Sequence, residues 1–306
     1  MKKWNINFFK HRKIYFAFSI TMIALMLVGS VMFGVDLDIQ FKGGALITYS
    51  YTGDLDQTEF QQSVESVLGQ KVSLQKSTDI ATGTQRFVVS LPTSEGLNAD
   101  KQAELATALD EKYKDNNLAT ASISVVNPTI GKEFLVKSLT AVAFASLLMV
   151  VYISLRFKKI GGWAAGITAV IALIHDLLMV FAVFVLFRIS INANFIAICL
   201  TILGYSLNDT IVIYDRVREN KRVYGDSMPI EQLMNLSLNQ SFTRSLMTSI
   251  TTASAMTIVS IIAMMYNVTS ILSFSFPMII GMISGCYSSL CIATMLWVMW
   301  QKKKEA

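Results

Sequence analysis

Six long apolar runs dominate the chain, at residues 14–33, 135–155, 162–187, 194–214, 246–266 and 274–300. A helix needs about 20 apolar residues to cross the hydrocarbon core, so the pattern predicts six membrane-spanning helices. The first run follows a basic stretch, as a secretory leader's apolar core would. It continues to about Val35, longer than the roughly 7–15 residues of such a core, and no small-x-small cleavage pattern follows. It reads as a retained helix.

Between the first two runs lies a polar segment, 36–132, with a different rhythm. Strands are predicted over 45–52, 71–76, 85–91 and 121–126, and helices over 56–68 and 98–114. Leu105, Ala108 and Leu109 share one face of the second helix. Asp54 or Asp56 and Asn98 are candidate helix caps. The order βαββαβ is the split-βαβ, ferredoxin-like arrangement, and the segment is long enough for a modest core of its own. A second polar stretch, 216–244, separates the fourth and fifth runs. Ser227 can cap a helix there with Pro229 in its first turn. Ile230, Leu233, Met234 and Ser237 would share a face, giving either a short amphipathic helix on the membrane surface or a simple connector.

Composition agrees with a membrane protein. Of 306 residues 53% are hydrophobic and 15% charged, against about 25% charged in soluble domains. The net charge of +5 would point to nucleic acid in a soluble protein. Here the cations flank apolar runs: Lys2, Lys3, Lys10, Arg12 and Lys13 before the first, Arg156, Lys158 and Lys159 after the second. Arg216, Arg218, Lys221 and Arg222 follow the fourth, and Lys302–Lys304 the sixth. The short loops on the other side hold only Arg188. The positive-inside rule therefore predicts both termini in the cytoplasm and 36–132 outside the cell, with no nucleic-acid partner. Cys199, Cys286 and Cys291 all fall inside runs and read as small buried hydrophobes rather than a disulfide framework.

Candidate chemistry sits within the apolar runs. Asp209 is seven residues before Arg216, hence about 10 Å into the fourth helix. A carboxylate at that depth costs roughly 2.5–3.5 kcal/mol on insertion, so it needs a partner or a role. Either an ion or proton site or a structurally bonded carboxylate answers that need. Tyr205 and Ser206 offer hydroxyls one turn away. Arg244, Thr248, Thr251 and Ala255 line one face of the fifth helix. Arg244 either pairs with Asp209 or merely anchors a helix end. His175 and Asp176 lie in the middle of the third run, as a bonded pair or as a relay. Two histidines in the whole chain are too few for a zinc centre of three or four ligands. Gly162–Gly166 and Gly281–Gly285 predict close helix contacts, and Pro277 a kink. No Walker motif, Ser–His–Asp arrangement or CxxC is present, which argues against an enzyme and against ATP hydrolysis.

Four blocks carry a family resemblance. GYSLNDTIVIYDRVREN (204–220) resembles the signature of the bacterial SecF family. GVDLDIQFKGG (34–44), ALIHD (172–176) and NQSFTRSLMTSITT (239–252) are similar to its motifs after the first helix and in the third and fifth helices. The resemblance implies an RND-type half of six helices. It implies pairing with SecD, association with the SecYEG channel and often YajC, and contact with unfolded preprotein at a late, outer stage of export. The driving force would be proton-motive, with protons as coupling ion and no cofactor. The family's essential intramembrane acid falls on Asp209 and its essential arginine on Arg244. Its HD pair falls on His175 and Asp176, with Asn208, Tyr205 and Thr248 in support. The rival readings are an RND-type small-molecule or lipid exporter subunit and a translocon assembly factor that transduces nothing.

Overall fold

The structure, a computed structural model, describes residues 6–78, 83–91 and 99–305. Lys2, Lys3 and the proposed cap Asn98 lie outside them. In chain order the elements are α1 (Arg12–Phe33), α2 (Ile39–Lys42), β1 (Gly44–Tyr51), α3 (Gln57–Leu68), β2 (Ser73–Thr78), β3 (Gln85–Leu91), α4 (Ala99–Lys112) and β4 (Ala119–Val126). There follow α5 (Pro128–Arg156), α6 (Gly162–Leu186), α7 (Ala193–Tyr224), α8 (Ile230–Met265), α9 (Thr269–Ser288) and α10 (Thr294–Glu305). A π-helical turn, Ser289–Ala293, joins the last two.

Six helices are long and apolar enough to span a membrane, as the hydrophobic pattern predicts: α1 with its preceding turn, α5, α6, α7, α8 and the continuous α9–α10. They do not share the work equally. Most of the apolar stretch of α6, α7 and α9–α10 is buried within the chain, whereas α1, α5 and α8 turn most of theirs outward. Small residues allow the close contacts. A Cβ on Gly166 would stand 2.4 Å from Ser154 Oγ of α5, and one on Gly281 2.8 Å from Ile202 of α7. Both predicted glycine pairs therefore mark close crossings. The helix continues through Pro277, and the change of hydrogen-bonding pattern comes at the π turn instead.

Several helices outrun their apolar stretches. Helix α5 begins at Pro128 rather than near Leu135, because Asn127 accepts from Thr129 N and Pro128 occupies the first turn. Helix α7 runs ten residues past Tyr214. The stretch 230–243 is neither a separate surface helix nor a slack connector; it is the first third of α8. Leu233, Met234 and Ser237 are buried there. Asn220 Nδ2 of α7 donates to Ser237 Oγ at 2.8 Å, and Asn239 exchanges two hydrogen bonds with Ile6. That packing is why the amphipathic face exists. Ser227 does not cap α8; its hydroxyl donates back to the Tyr224 carbonyl.

The polar segment folds as expected into a ferredoxin-like sheet, order β2-β3-β1-β4 and antiparallel throughout. Helix α3 starts where Asp56, not Asp54, accepts from Glu59 N at 2.8 Å, and ends at the left-handed Gly69. One face of the sheet buries Ile47, Tyr49, Tyr51, Phe87 and Val89 against Phe60, Leu105 and Leu109. Phe87 stacks between Tyr51 and Phe60, with ring centroids 4.5 and 4.8 Å apart.

The stretch before the sheet belongs to the helical bundle. Asp36–Phe41 straps the loop between α6 and α7: Asp38 N donates to Ile191 O at 2.9 Å and Ile191 N to Asp36 O at 2.8 Å. Phe41 is buried among Val180, Phe184 and Ile191. Gly43 and Gly44 then turn the chain into β1 with positive φ. A Cβ on Gly43 would meet Pro128 Cα at 2.5 Å, and one on Gly44 the Leu91 carbonyl oxygen at 2.2 Å. Only glycine suits a junction this tight.

Candidate functional site

Two carboxylates are buried in the middle of the bundle. Asp176 of α6 is fully inaccessible. Its Oδ2 accepts from Ser206 Oγ of α7 and Ser288 Oγ of α9, each at 2.7 Å. Its Oδ1 accepts from Ser284 Oγ at 2.7 Å and lies 3.3 Å from its neighbour His175 Nδ1. Hydroxyls from two other helices thus solvate the charge. The close approach of α9 makes this possible: a Cβ on Gly285 would stand only 3.1 Å from Ser206 Cβ. His175 fills the other side of α6, its ring 6.0 Å from Tyr287, and its Nε2 is buried without a partner among the described residues. His175 and Asp176 thus lie within hydrogen-bonding distance of each other.

Asp209 has different surroundings. It lies in the seam between α7 and α8, 3% exposed. Its Oδ2 is buried and has no hydrogen-bond partner among the described residues, and the same holds for Ser245 Oγ of α8. Arg244, Ser245 and Ser249 are the groups whose charge and hydroxyls act on it. The expected Asp209–Arg244 ion pair is absent among the described residues, where no salt bridge joins the two. Arg244 is exposed, and so are Thr251 and Ala255 of the predicted stripe, with Thr248 half-buried. The inward stripe of α8 is instead Ser237, Ser241, Ser245 and Ser249, all buried. Helical phase explains the difference: Arg244 and Ser245 point about 100° apart, and only the serine face meets α7.

The remaining candidates divide between these surroundings. Tyr205 donates through its hydroxyl to Ser249 Oγ at 3.2 Å and so joins α7 to α8 beside Asp209. Asn208 is exposed on the outer side of α7. Thr248 Oγ1 donates to the Arg244 carbonyl within its own helix, at 2.9 Å. Ser206, expected beside Asp209, serves Asp176 instead. Sequence reasoning missed Ser245, Ser249, Ser284 and Ser288. Their signal was legible: serines repeat at i, i+4 within apolar runs, which places hydroxyls on one helix face. Cys286 was read only as a small hydrophobe, yet its thiol lies within electrostatic range of both carboxylates and beside Ser249.

Residues 106–303 match the family model of the protein export membrane protein SecD/SecF, C-terminal. The chain belongs to the SecD/SecF family. It is 30% identical to the protein translocase subunit SecF of Sebaldella termitidis, over 98% of this chain and 94% of that one. To the translocase subunit SecDF of Bacillus subtilis it is 33% identical, over 99% of this chain but only 39% of that longer one. Among solved structures it resembles SecDF, a translocon-associated membrane protein from Thermus thermophilus. The TM-score is 0.81 and the identity 26%, over 98% of this chain and 39% of that one. The SecF-type relatives thus match nearly end to end, and the SecDF proteins contain a region of this kind within a longer polypeptide.

Proposed function

We propose that this chain is the SecF-type half of a SecD–SecF pair that uses the proton-motive force to assist protein export, with Asp209 as the proton carrier. The observation that carries the reading is the buried, unpartnered Asp209 Oδ2 in the α7–α8 seam. Beside the seam lies an outward face holding Arg244, Asn208 and Thr251. A cation facing hydrocarbon is costly, so that face needs a cover, and the SecD half supplies it. The naming of the Bacillus subtilis relative supports this, since it joins both halves in one polypeptide.

The cycle follows from the electrostatics. Ionised Asp209 attracts Arg244 across the seam. Protonation removes the attraction and lets α7 shift against α8. Helix α7 is tied to the strap, since Ala193 N donates to Gln40 Oε1 at 3.1 Å and Ile191 is bonded on both sides. The strap runs through Gly43 and Gly44 directly into β1, so movement of α7 reaches the sheet. One charge crossing the membrane field gains roughly 2.3 kcal/mol per 100 mV, enough to bias a two-state arrangement by one to two decades. The sheet lies outside the cytoplasmic membrane with both termini inside, and there it holds an emerging unfolded preprotein weakly and without sequence preference. The SecYEG channel, often with YajC, delivers that chain. Asp176 is a hydrogen-bonded tie between α6, α7 and α9 in this scheme rather than a second carrier, because its hydrogen-bonding positions are already occupied.

The test is export of a secreted reporter in cells carrying Asp209→Asn, with protein level and SecD association followed in parallel. Export at the deletion level with normal assembly is the expected result. Unchanged export would overturn proton carriage and favour an assembly factor.

A further inference from the structure

We propose that the basic end of the bundle, where α5, α6 and α7 meet, binds an anionic phospholipid. A groove of about 990 Å³ lies there, lined by six cations, Arg156, Lys158, Lys159, Arg218, Lys221 and Arg222, against two carboxylates, Asp215 and Glu219. The carboxylates are engaged. Asp215 pairs with Arg156 at 3.1 Å and with Arg218 at 2.8 Å, and Glu219 with Arg216 at 2.7 Å. Lys158, Lys159, Lys221 and Arg222 form no salt bridge among the described residues. They converge from two elements, the turn after α5 and the extension of α7 beyond its apolar stretch, and leave a concentrated positive charge in a concave site.

A second, mostly apolar cleft of about 340 Å³ adjoins the groove and shares Leu155 and Lys158 with it. It is flanked by Trp163, 71% exposed, and Trp300, 45% exposed. Exposed tryptophans beside lysines mark the level of lipid headgroups. From the cleft, Trp300 and Lys304 lead into a shallow apolar groove past Ile171, Leu296 and Met299 on the outer side of α6 and α10. Phosphate on the cations, the glycerol backbone beside Trp163 in the apolar cleft and an acyl chain along α6 and α10 match these three parts in order. Basic pockets between membrane helices are suited to anionic headgroups, and a zwitterionic lipid would leave the cations unneutralised. The inference does not depend on the proton role of Asp209.

The test is native mass spectrometry of the full chain released from micelles holding equal phosphatidylglycerol and phosphatidylcholine. Retention of phosphatidylglycerol at tenfold or more over phosphatidylcholine is expected. The ratio should collapse towards parity in Lys158→Gln/Lys159→Gln/Arg222→Gln and persist in Lys137→Gln, which removes a cation outside the groove. Should the triple variant not fold, Lys158→Gln and Arg222→Gln singly are each expected to lower the ratio about fivefold. Parity in the unaltered chain overturns the proposal. So does an unchanged ratio in the groove variants, or displacement of the lipid by an equal concentration of glycerol phosphate, which would reveal a site for free anions.

Discussion

Asp176 and Asp209 lie on adjacent helices and are buried to nearly the same degree, yet they are solvated in opposite ways. Asp176 receives three serine hydroxyls and a histidine nitrogen. Asp209 keeps a buried oxygen with no partner, in a seam whose nearest cation is exposed. Burial alone therefore does not assign a role to an intramembrane acid. What matters is whether its oxygens are already engaged. Those of Asp176 accept from hydroxyls of two other helices, whereas Asp209 Oδ2 accepts from none among the described residues. The first arrangement suits a tie that holds α6, α7 and α9 together, and the second leaves an oxygen open.

Exchanging each acid for its amide gives the largest predicted contrast. Asp209→Asn should abolish reporter export, whereas Asp176→Asn should retain a substantial part of it, because the amide oxygen still accepts and the serine hydroxyls can turn to accept from its NH₂. Equal loss in both would dissolve the distinction. Next in size is stability. Intramembrane hydrogen bonds average about 0.6 kcal/mol each, so Asp176→Ala should cost roughly 2 kcal/mol in a detergent unfolding titration. Asp209→Ala should cost less, about 1 kcal/mol at most in the same terms, since only the Ser245 and Ser249 hydroxyls act on it. Smaller still, Ser284→Ala and Ser288→Ala should each lose about 0.6 kcal/mol in the same titration.

The smallest effect belongs to the sheet domain and provides an acid control that leaves the bundle carboxylates untouched. Glu65 accepts from Val72 N at 3.0 Å and Gln61 Nε2 at 3.1 Å, and these bonds, the backbone one foremost, hold its carboxyl below the usual range. A depressed folded value means that its stabilisation is present above the unfolded value and is lost as pH falls through the folded one. Protection of α3 against hydrogen exchange, taken relative to the intrinsic rate at each pH, should therefore fall as pH drops below the usual carboxylate range, and less so in Glu65→Gln. Identical acid responses in the two proteins would remove Glu65 from this role.

The difference between the two acids was only partly legible in the chain. Asp209 stands out because a carboxylate in an apolar run is rare and costly. The position of Arg244 near a helix end is equally plain, but whether it reaches Asp209 depends on rotation about α8. Arg244, Thr248, Thr251 and Ala255 form a polar stripe on paper, and Ser237, Ser241, Ser245 and Ser249 form another. Periodicity alone does not say which of two polar stripes faces a neighbour. Ser206 shows the same ambiguity one helix away: it is a turn from Asp209 along α7, yet its hydroxyl crosses to α6.

Six spans, the ferredoxin-like order of the polar segment and the presence of acids within the apolar runs were legible along the chain. These rest on local quantities: the length of apolar runs, alternation along strands, and the cost of a charge in hydrocarbon. The tertiary structure alone decided that 230–243 is the base of α8, that Asp36–Phe41 straps the bundle to the sheet, and that Asp176 is caged while Asp209 is not. Each of these depends on the rotation and approach of helices far apart in the chain. Contacts such as Asn239 with Ile6, Asp38 with Ile191 and Gly285 against Ser206 exist only after the helices have packed.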